Sequence, residues 1–217
     1  MSLNQGRLQN NLAHILWLGG SPCAGKSSIA NLLADKSRLD VYHCDEAFAD
    51  QRQMIDPDKQ PMLHKWTTST WNELWMQPVE TLLSEAIACY REHFQFVVSD
   101  LLSLPASQPI LVEGNCLLPD SVQPWLSCPE QAIWLVTSAD FVRTHYPDRG
   151  SWVQDIVNQC IDPQQALQNW MDSEVLFANE VSEHVKNLGL TLLLVDGAQT
   201  IAKAADRVEA HFGLGRA

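Results

Sequence analysis

The sequence lacks long hydrophobic runs, internal repeats and low-complexity segments across its 217 residues. Because no apolar run approaches the ~20 residues that a membrane helix needs, we expect no membrane partner. The six cysteines form no Cys-x-x-Cys pair, and no signal peptide precedes them. This usage is typical of reduced thiols, so we expect a cytoplasmic protein.

Basic residues are also scarce. The chain has 14 Lys and Arg against 26 Asp and Glu, which gives a formal net charge of −12. A nucleic-acid partner is disfavoured because its phosphate backbone would be repelled. A small anionic substrate stays compatible with this charge, since a local group of basic side chains can override the global sign. Length and an ordinary 46% hydrophobic content indicate a single globular domain over residues 1–217.

The most informative segment is Gly-Ser-Pro-Cys-Ala-Gly-Lys-Ser at residues 20–27, which we call the phosphate loop. It fits the pattern G-x-x-x-x-G-K-[ST] without a mismatch. Its glycines let backbone N–H groups surround a phosphate, its lysine reaches the β/γ-phosphates, and its serine hydroxyl binds Mg²⁺. The sequence therefore predicts nucleoside triphosphate binding by Gly20, Ser21, Cys23, Ala24, Gly25, Lys26, Ser27 and Ser28.

The residues around this loop support the motif. The apolar run 14–19 precedes it, as a buried parallel strand should, and apolar residues at helical spacing follow Lys26. Further strands are predicted at 39–44, 109–114, 132–136 and 190–195. Helices are predicted at about 70–104 with a break near Gln77 and Pro78, and at 139–147, 151–160, 164–187 and 201–212. Residues 1–12 are read as a partly ordered polar leader, and residues 56–61 as irregular.

Five short apolar strands separated by helices indicate an α/β fold, a three-layer α/β/α sandwich around a parallel sheet. Ligands of such sheets bind beyond the carboxyl ends of the strands. Two acidic residues are predicted there. Asp45 ends the second strand, where it can accept a proton from an attacking hydroxyl or, alternatively, serve as a helix N-cap. Glu113 ends the third strand, where we expect it to hold either Mg²⁺ or the substrate.

Arg143 and Arg149 follow the fourth strand and flank a Tyr-Pro break. Phosphoryl transfer needs positive charge on the migrating group, often from a mobile segment that also excludes water. We therefore interpret residues 138–165 as a lid that carries one or both arginines, the alternative being an ordinary solvated helix face. A second group consists of three tryptophans, Trp66, Trp71 and Trp75. They either line an acceptor pocket or pack one helix face onto the domain, and packing is the favoured interpretation.

These residues together resemble the P-loop small-molecule kinases, the group that includes nucleoside, shikimate, gluconate and adenylate kinases. Residues 20–27 match their phosphate loop. Asp45, with an aromatic residue three positions on, is similar to the D-x-x-F/Y strand end of uridine kinases. The run Ile-Leu-Val-Glu-Gly-Asn at 110–115 is similar to the E-G strand end of uridine and pantothenate kinases, and Asp-Gly-Ala at 196–198 is like their adenine loop.

The resemblance implies a sheet in the order 2-3-1-4-5, an ATP donor and Mg²⁺ held by Ser27 and Glu113. It implies catalytic roles for Lys26, Asp45, Arg143 and Arg149, and a small-molecule acceptor. The helical segment at about 46–105 stands at the acceptor-binding position, and its Arg52, Lys59, Lys65 and Arg91 are compatible with an anionic acceptor. A homodimer is compatible with these features.

Two other classes of function stay open at this point. One is a switch that hydrolyses nucleoside triphosphates. The chain lacks the N-K-x-D and D-x-x-G elements of switch GTPases, and its length leaves no room for the helical lid domain of larger ATPases. The other is an ATP-binding regulatory protein in which Asp45 and Glu113 are structural.

Overall fold

A computed structural model describes residues 11–215. Its sheet has the strand order β2-β3-β1-β4-β5, and every adjacent pair is parallel. The strands are β1 (Ile15–Gly20), β2 (Asp40–His43), β3 (Ile110–Glu113), β4 (Ala132–Thr137) and β5 (Thr191–Val195). This confirms the predicted α/β fold and strand order.

The helices are α1 (Lys26–Ser37), α2 (Cys44–Gln51), α3 (Pro61–Thr68), α4 (Trp71–Trp75), α5 (Val79–Ser103), α6 (Pro119–Val122), α7 (Ala139–His145), α8 (Ser151–Val157), α9 (Pro163–Asn187) and α10 (Ile201–Phe212). Short 3-10 turns occupy Arg52–Met54, Gln123–Trp125 and Pro129–Gln131. The predicted break before α5 is confirmed. Within residues 11–215, no helix combines the length and apolar character that crossing a membrane requires.

The alternation of side chains along β1 builds two hydrophobic cores. Trp17 faces one side of the sheet, where it packs in the core that α5 and α9 cover. Leu18 faces the other side, where Ile29 of α1 and Val208 of α10 complete a second core. Successive strand residues point to opposite faces, so one strand serves both layers. The result is the predicted three-layer arrangement.

A third hydrophobic cluster lies beside the phosphate loop and joins α4 and α5 to α7, α8 and α9. At its centre, the rings of Trp75 and Trp170 stack with centroids 4.0 Å apart. Trp66, Tyr146 and Trp152 pack edge-on around this pair. We call these five side chains the aromatic cluster. It packs the predicted lid segment against the helical segment that precedes β3.

Some boundaries differ from the sequence-based predictions. The second strand was predicted to run to Cys44, but α2 begins at that residue. Leu12 is fully buried in the core, so the predicted polar leader is wrong at that residue; residues 1–10 lie outside the described part. Trp71 is 37% exposed, whereas Trp75, four residues further along α4, is 5% exposed.

Candidate nucleotide-binding and active site

The phosphate loop leaves β1 through backbone conformations that only glycine adopts easily. Gly20 has a φ of +128°, and a Cβ there would lie 1.8 Å from the carbonyl oxygen of Leu135 on β4. Gly25, with a φ of +81°, precedes α1 as its N-cap. Both positions exclude a side chain, so the loop can pass close to β4 and turn directly into the helix.

Ser21 fastens the loop to β4. Its backbone N–H donates to the Leu135 carbonyl over 2.9 Å. Its hydroxyl lies 3.0 Å from the hydroxyl of Thr137 and also accepts the Thr137 backbone N–H. The Ser21 side chain is therefore engaged in holding the loop in place.

Lys26 lies at the centre of the site and is only 7% exposed. Its ammonium group donates to the Ser21 carbonyl over 2.7 Å and to Asn115 Oδ1 over 2.6 Å. Burial lowers the pKa of this lysine, while the negative charges of Glu113 and Asp45 oppose that shift. The loop thus holds a cation close to the carboxyl ends of β1 and β3.

The start of α1 presents backbone N–H groups that have no hydrogen-bond partner within residues 11–215. The first helical hydrogen bond runs from Ile29 N–H to the Gly25 carbonyl, so the N–H groups of residues 26–28 lie ahead of it. Gly25 offers no side chain to cap them. The hydroxyls of Ser27 and Ser28 are exposed and make no hydrogen bond within residues 11–215. Together with the helix dipole, these groups favour an anion at this end of α1.

Cys23 belongs to the loop but points to the third hydrophobic cluster. Its φ is +62°, an uncommon value for a residue with a side chain. Burial raises the pKa of its thiol to about 11, so the thiol is neutral near pH 7. The side chain packs the loop against the cluster that α4, α5, α7, α8 and α9 form.

Asp45 lies in the first turn of α2, directly after β2. The N-cap of this helix is His43, which makes no capping side-chain bond, so the alternative interpretation of Asp45 as the N-cap is wrong. The Asp45 carboxylate is exposed and makes no hydrogen bond within the described part of the chain. It is near enough to Lys26 to affect the pKa of that residue. An accessible carboxylate beside the phosphate loop fits an acceptor-activating role.

Glu113 is 4% exposed at the end of β3. Its Oε1 accepts a hydrogen bond from His43 Nδ1 over 2.8 Å, which joins the ends of β2 and β3. A buried carboxylate is costly without a partner, and His43 supplies one. Glu113 Oε2 makes no hydrogen bond among residues 11–215.

The two arginines of the predicted lid have different surroundings. Arg143, on α7, pairs with Asp172 of α9 over 3.2 Å on an exposed face. Arg149 lies between α7 and α8 and is near enough to the Cys23 thiol to influence its pKa. Within residues 11–215 no carboxylate lies within 4.0 Å of Arg149. The structure therefore places Arg149 beside the phosphate loop and engages Arg143 in a surface ion pair.

Glu174 of α9 was not among the predicted site residues. Its carboxylate Oε1 accepts hydrogen bonds from Tyr146 Oη and Trp170 Nε1, over 3.2 and 3.3 Å. Burial raises the pKa of Glu174 to about 7, against the opposing effect of Arg149. A signal was present in the sequence, because Glu174 falls at helical spacing between apolar Trp170 and Phe177. A carboxylate on the apolar face of a helix is unusual, because acidic side chains are mostly exposed.

A small, shallow pocket adjoins the phosphate loop on the side of β5. Ala24 of the loop, Val195 at the end of β5, and Ile201 and Ala204 of α10 form part of its wall. Asp196 and Gly197 also contribute, in a turn fixed by the Ala198 N–H donating to Asp196 Oδ1 over 2.9 Å. The wall of this pocket is mainly apolar.

Three of the basic residues of the predicted acceptor-binding segment are paired with carboxylates. Lys59 pairs with Asp56, Lys65 with Glu85, and Arg91 with Asp120. Each of these ion pairs joins a basic side chain to a carboxylate of the chain itself. They are therefore not free cations aimed at a ligand.

A buried thiol pair lies behind the strand ends. All six cysteines are free thiols, and Cys44 and Cys116 are fully buried next to each other. Burial raises the pKa of the Cys116 thiol, but hydrogen bonds with Cys44 and His93 outweigh it and lower the pKa to about 6. Gly114 passes close to this pair, since a Cβ there would meet Cys44 Sγ at 2.8 Å.

No model of a known protein family matches the sequence, and no curated protein matches it. Two solved structures are similar in architecture. An uncharacterised protein from Eubacterium ventriosum ATCC 27560 has a TM-score of 0.42 at 11% identity, over 92% of this chain and 97% of that chain. A Chloroflexus aurantiacus protein described as "a putative kinase" has a TM-score of 0.40 at 18% identity, over 91% and 97%. Similarity at these TM-scores does not support a function for this chain. The function is therefore argued from the geometry of the site.

Proposed function

We propose that this protein is an ATP-dependent small-molecule kinase, which transfers the γ-phosphoryl group of ATP to a hydroxyl or phosphate of a metabolite. One observation carries the proposal. The Lys26 ammonium is buried in a G-x-x-x-x-G-K-S loop, between a helix N-terminus and the carboxyl ends of β1 and β3. This is the arrangement that phosphoryl transfer needs for holding the donor phosphates.

The donor half of the site follows from the loop. The N–H groups at the start of α1 and the ammonium of Lys26 bind the phosphates, and the pocket beside β5 takes the adenine. The donors available for Mg²⁺ are the exposed Ser27 hydroxyl and the carboxylate of Glu113. Mg²⁺ is commonly held by one or two protein oxygens together with substrate phosphates, so this set fits the ion. When bound, Mg²⁺ would neutralise charge that develops on the phosphate oxygens.

The acceptor half is provided by the segments on the other side of the loop. Asp45 accepts the proton of the attacking hydroxyl, and Arg149 stabilises the charge of the migrating phosphoryl group. The helical segment from α2 to α5 supplies the surface on which the acceptor binds. The exposed Asp45 carboxylate favours this function over a purely regulatory ATP-binding protein, because the described residues give it no structural bond.

An assay of ADP release from Mg-ATP in the presence of a panel of metabolites tests the proposal. We expect one chemical class of acceptor to raise the rate well above the rate with water alone. Asp45→Asn should abolish that increase while ATP still binds. Asp50→Asn, an exposed carboxylate on the same helix, is the matched control and should behave as the native protein. A flat panel with only slow hydrolysis would support a switch or a regulatory protein instead.

A further inference from the structure

A chain of hydrogen bonds links α9 to the guanidinium of Arg149. Arg149 Nη1–H donates to Tyr146 Oη over 3.2 Å, and the Tyr146 hydroxyl donates to Glu174 Oε1 over 3.2 Å. A guanidinium can only donate, so Tyr146 Oη accepts from Arg149, and the O–H of Tyr146 is left to donate to Glu174. Tyr146 is the link that does both.

Arg149 is held without a carboxylate in direct contact. Its guanidinium carbon lies 5.1 Å from the ring centre of Tyr146 and 5.2 Å from that of Trp152. These ring faces and the Tyr146 hydroxyl fix its plane, while Nη2 and Nε make no hydrogen bond within residues 11–215. The charge is therefore oriented but not neutralised by a contacting anion, as a group that binds phosphate requires.

The far end of the chain is partly buried, so the Glu174 carboxylate loses part of its hydration. Tyr146 is 1% exposed, and the Glu174 carboxylate has hydrogen bonds but no cation within 4.0 Å among the described residues. An apolar side chain would fill that position of α9 without desolvating a charge. Trp170 Nε1 fixes the same oxygen from the previous turn of the helix. The carboxylate thus provides a rigid acceptor for the Tyr146 hydroxyl.

We propose that Glu174 and Tyr146 are positioning residues that hold Arg149 beside the phosphate loop for phosphoryl transfer. The proposal rests on the proposed kinase function, and it assigns Arg149 a fixed geometry that α9 supplies. Neither positioning residue needs to touch the nucleotide. The effect of the Tyr146 hydroxyl is confined to states in which Arg149 contacts the migrating phosphoryl group.

The test compares binding of Mg-ADP alone with binding of Mg-ADP and aluminium fluoride, a mimic of the migrating phosphoryl group. Tyr146→Phe removes one hydroxyl and keeps the ring, so the fold should be retained. We expect it to weaken aluminium fluoride-dependent binding by about tenfold and to leave Mg-ADP binding within about twofold. Tyr90→Phe changes a partly buried tyrosine whose ring packs at a tilt against Phe177; it is the control and should change neither affinity.

Variants of Glu174 separate positioning from packing. Glu174→Leu should lower the aluminium fluoride-dependent affinity, as Tyr146→Phe does. Glu174→Gln should keep that affinity near the native value, because its amide oxygen still accepts the hydrogen bond from Tyr146. Adding Glu174→Leu to Tyr146→Phe should cause no further loss, since the chain is already broken. Native affinity in Tyr146→Phe, or additive losses in the double variant, would overturn the proposal. A native protein that fails to bind Mg-ADP at all would instead overturn the kinase function on which it rests.

Discussion

The ammonium of Lys26 donates to Asn115 Oδ1 over 2.6 Å, which joins the phosphate loop to the segment after β3. Asn115 follows Glu113 by two residues, and Glu113 in turn accepts a hydrogen bond from His43 at the end of β2. The ends of three adjacent strands are therefore connected through polar contacts. We expect a change in any of these polar contacts to shift the position at which the donor phosphates bind.

Lys26→Met should weaken Mg-ATP binding, because it removes a charged donor from the phosphate site. The loss of a hydrogen bond to a charged group is worth ~1.5–3 kcal/mol, which corresponds to about a 10–100-fold rise in Kd. Isothermal titration calorimetry measures this directly. Lys203→Met, an exposed lysine of α10, is the control. Equal ATP affinity in native protein and Lys26→Met would remove the loop from nucleotide binding.

Gly20→Ala should destabilise the fold strongly, because its Cβ would meet the Leu135 carbonyl and because its φ is +128°. We expect a fall of at least about 3 kcal/mol in the free energy of unfolding, from overpacking and backbone strain together. Gly189→Ala shares a positive φ of +66° but meets no atom within 4 Å. It should cost only about 1–2 kcal/mol. Urea unfolding compares the two, and similar costs would contradict the steric account of Gly20.

Arg149→Met should reduce turnover far more than Arg143→Met. Arg149 lies beside the loop with free donors, whereas Arg143 is paired with Asp172 at the surface. Loss of one group that stabilises the transition state typically lowers kcat by ~10²–10³-fold. Arg143→Met should stay within about threefold of native activity, as expected for an exposed ion pair. The kcat values with Mg-ATP and the acceptor found in the panel decide this, and the reverse order would assign the lid role to Arg143.

The stability of the native protein should depend on Glu174 between about pH 4.5 and 7. Burial raises the pKa of this carboxyl from 4.5 to about 7, so the folded state binds the extra proton in that window. Its contribution is present below the unfolded pKa and is lost as the pH rises through the folded one. The hydrogen bond from Tyr146, the charge of Arg149, the hydrogen bond from Trp170 and the charge of Lys26 all reduce this shift of the pKa.

At pH 8, the free energy of unfolding of Glu174→Gln, measured in urea, should therefore exceed that of the native protein by at most about 3 kcal/mol. This difference in stability should vanish near pH 4. The difference between the two proteins cancels other groups that titrate in the same range, such as Cys116. Glu183→Gln, on the exposed face of α9, is the control and should show no such trend. A constant difference across pH would contradict the raised pKa.

Much of the fold could be predicted because its signals are local. The apolar run before the phosphate loop, the glycines at 20 and 25, and the proline before α5 each determine the backbone within a few residues. The acidic residues after β2 and β3 were also recognisable, since a parallel sheet brings its carboxyl ends together. The sequence predicts where Asp45 and Glu113 lie without any tertiary information.

The rest depends on contacts between distant segments. Arg143 and Arg149 look equivalent in the sequence, but Arg143 lies on α7 opposite Asp172, and Arg149 follows the end of that helix. The bond from Tyr146 to Glu174 spans 28 residues, and that from Lys26 to Asn115 spans 89. Such pairs are set by how α9 and the strands pack, which no local pattern specifies.

The most direct test of the kinase function follows the γ-phosphoryl group itself. The protein is incubated with a metabolite extract and Mg-ATP whose γ-phosphoryl group carries heavy oxygen, and the products are analysed by mass spectrometry. We predict one small molecule that gains a labelled HPO₃ unit with the native protein and with Asp50→Asn, but not with Asp45→Asn. Label found only in inorganic phosphate, at equal rates in all three proteins, would contradict a small-molecule kinase.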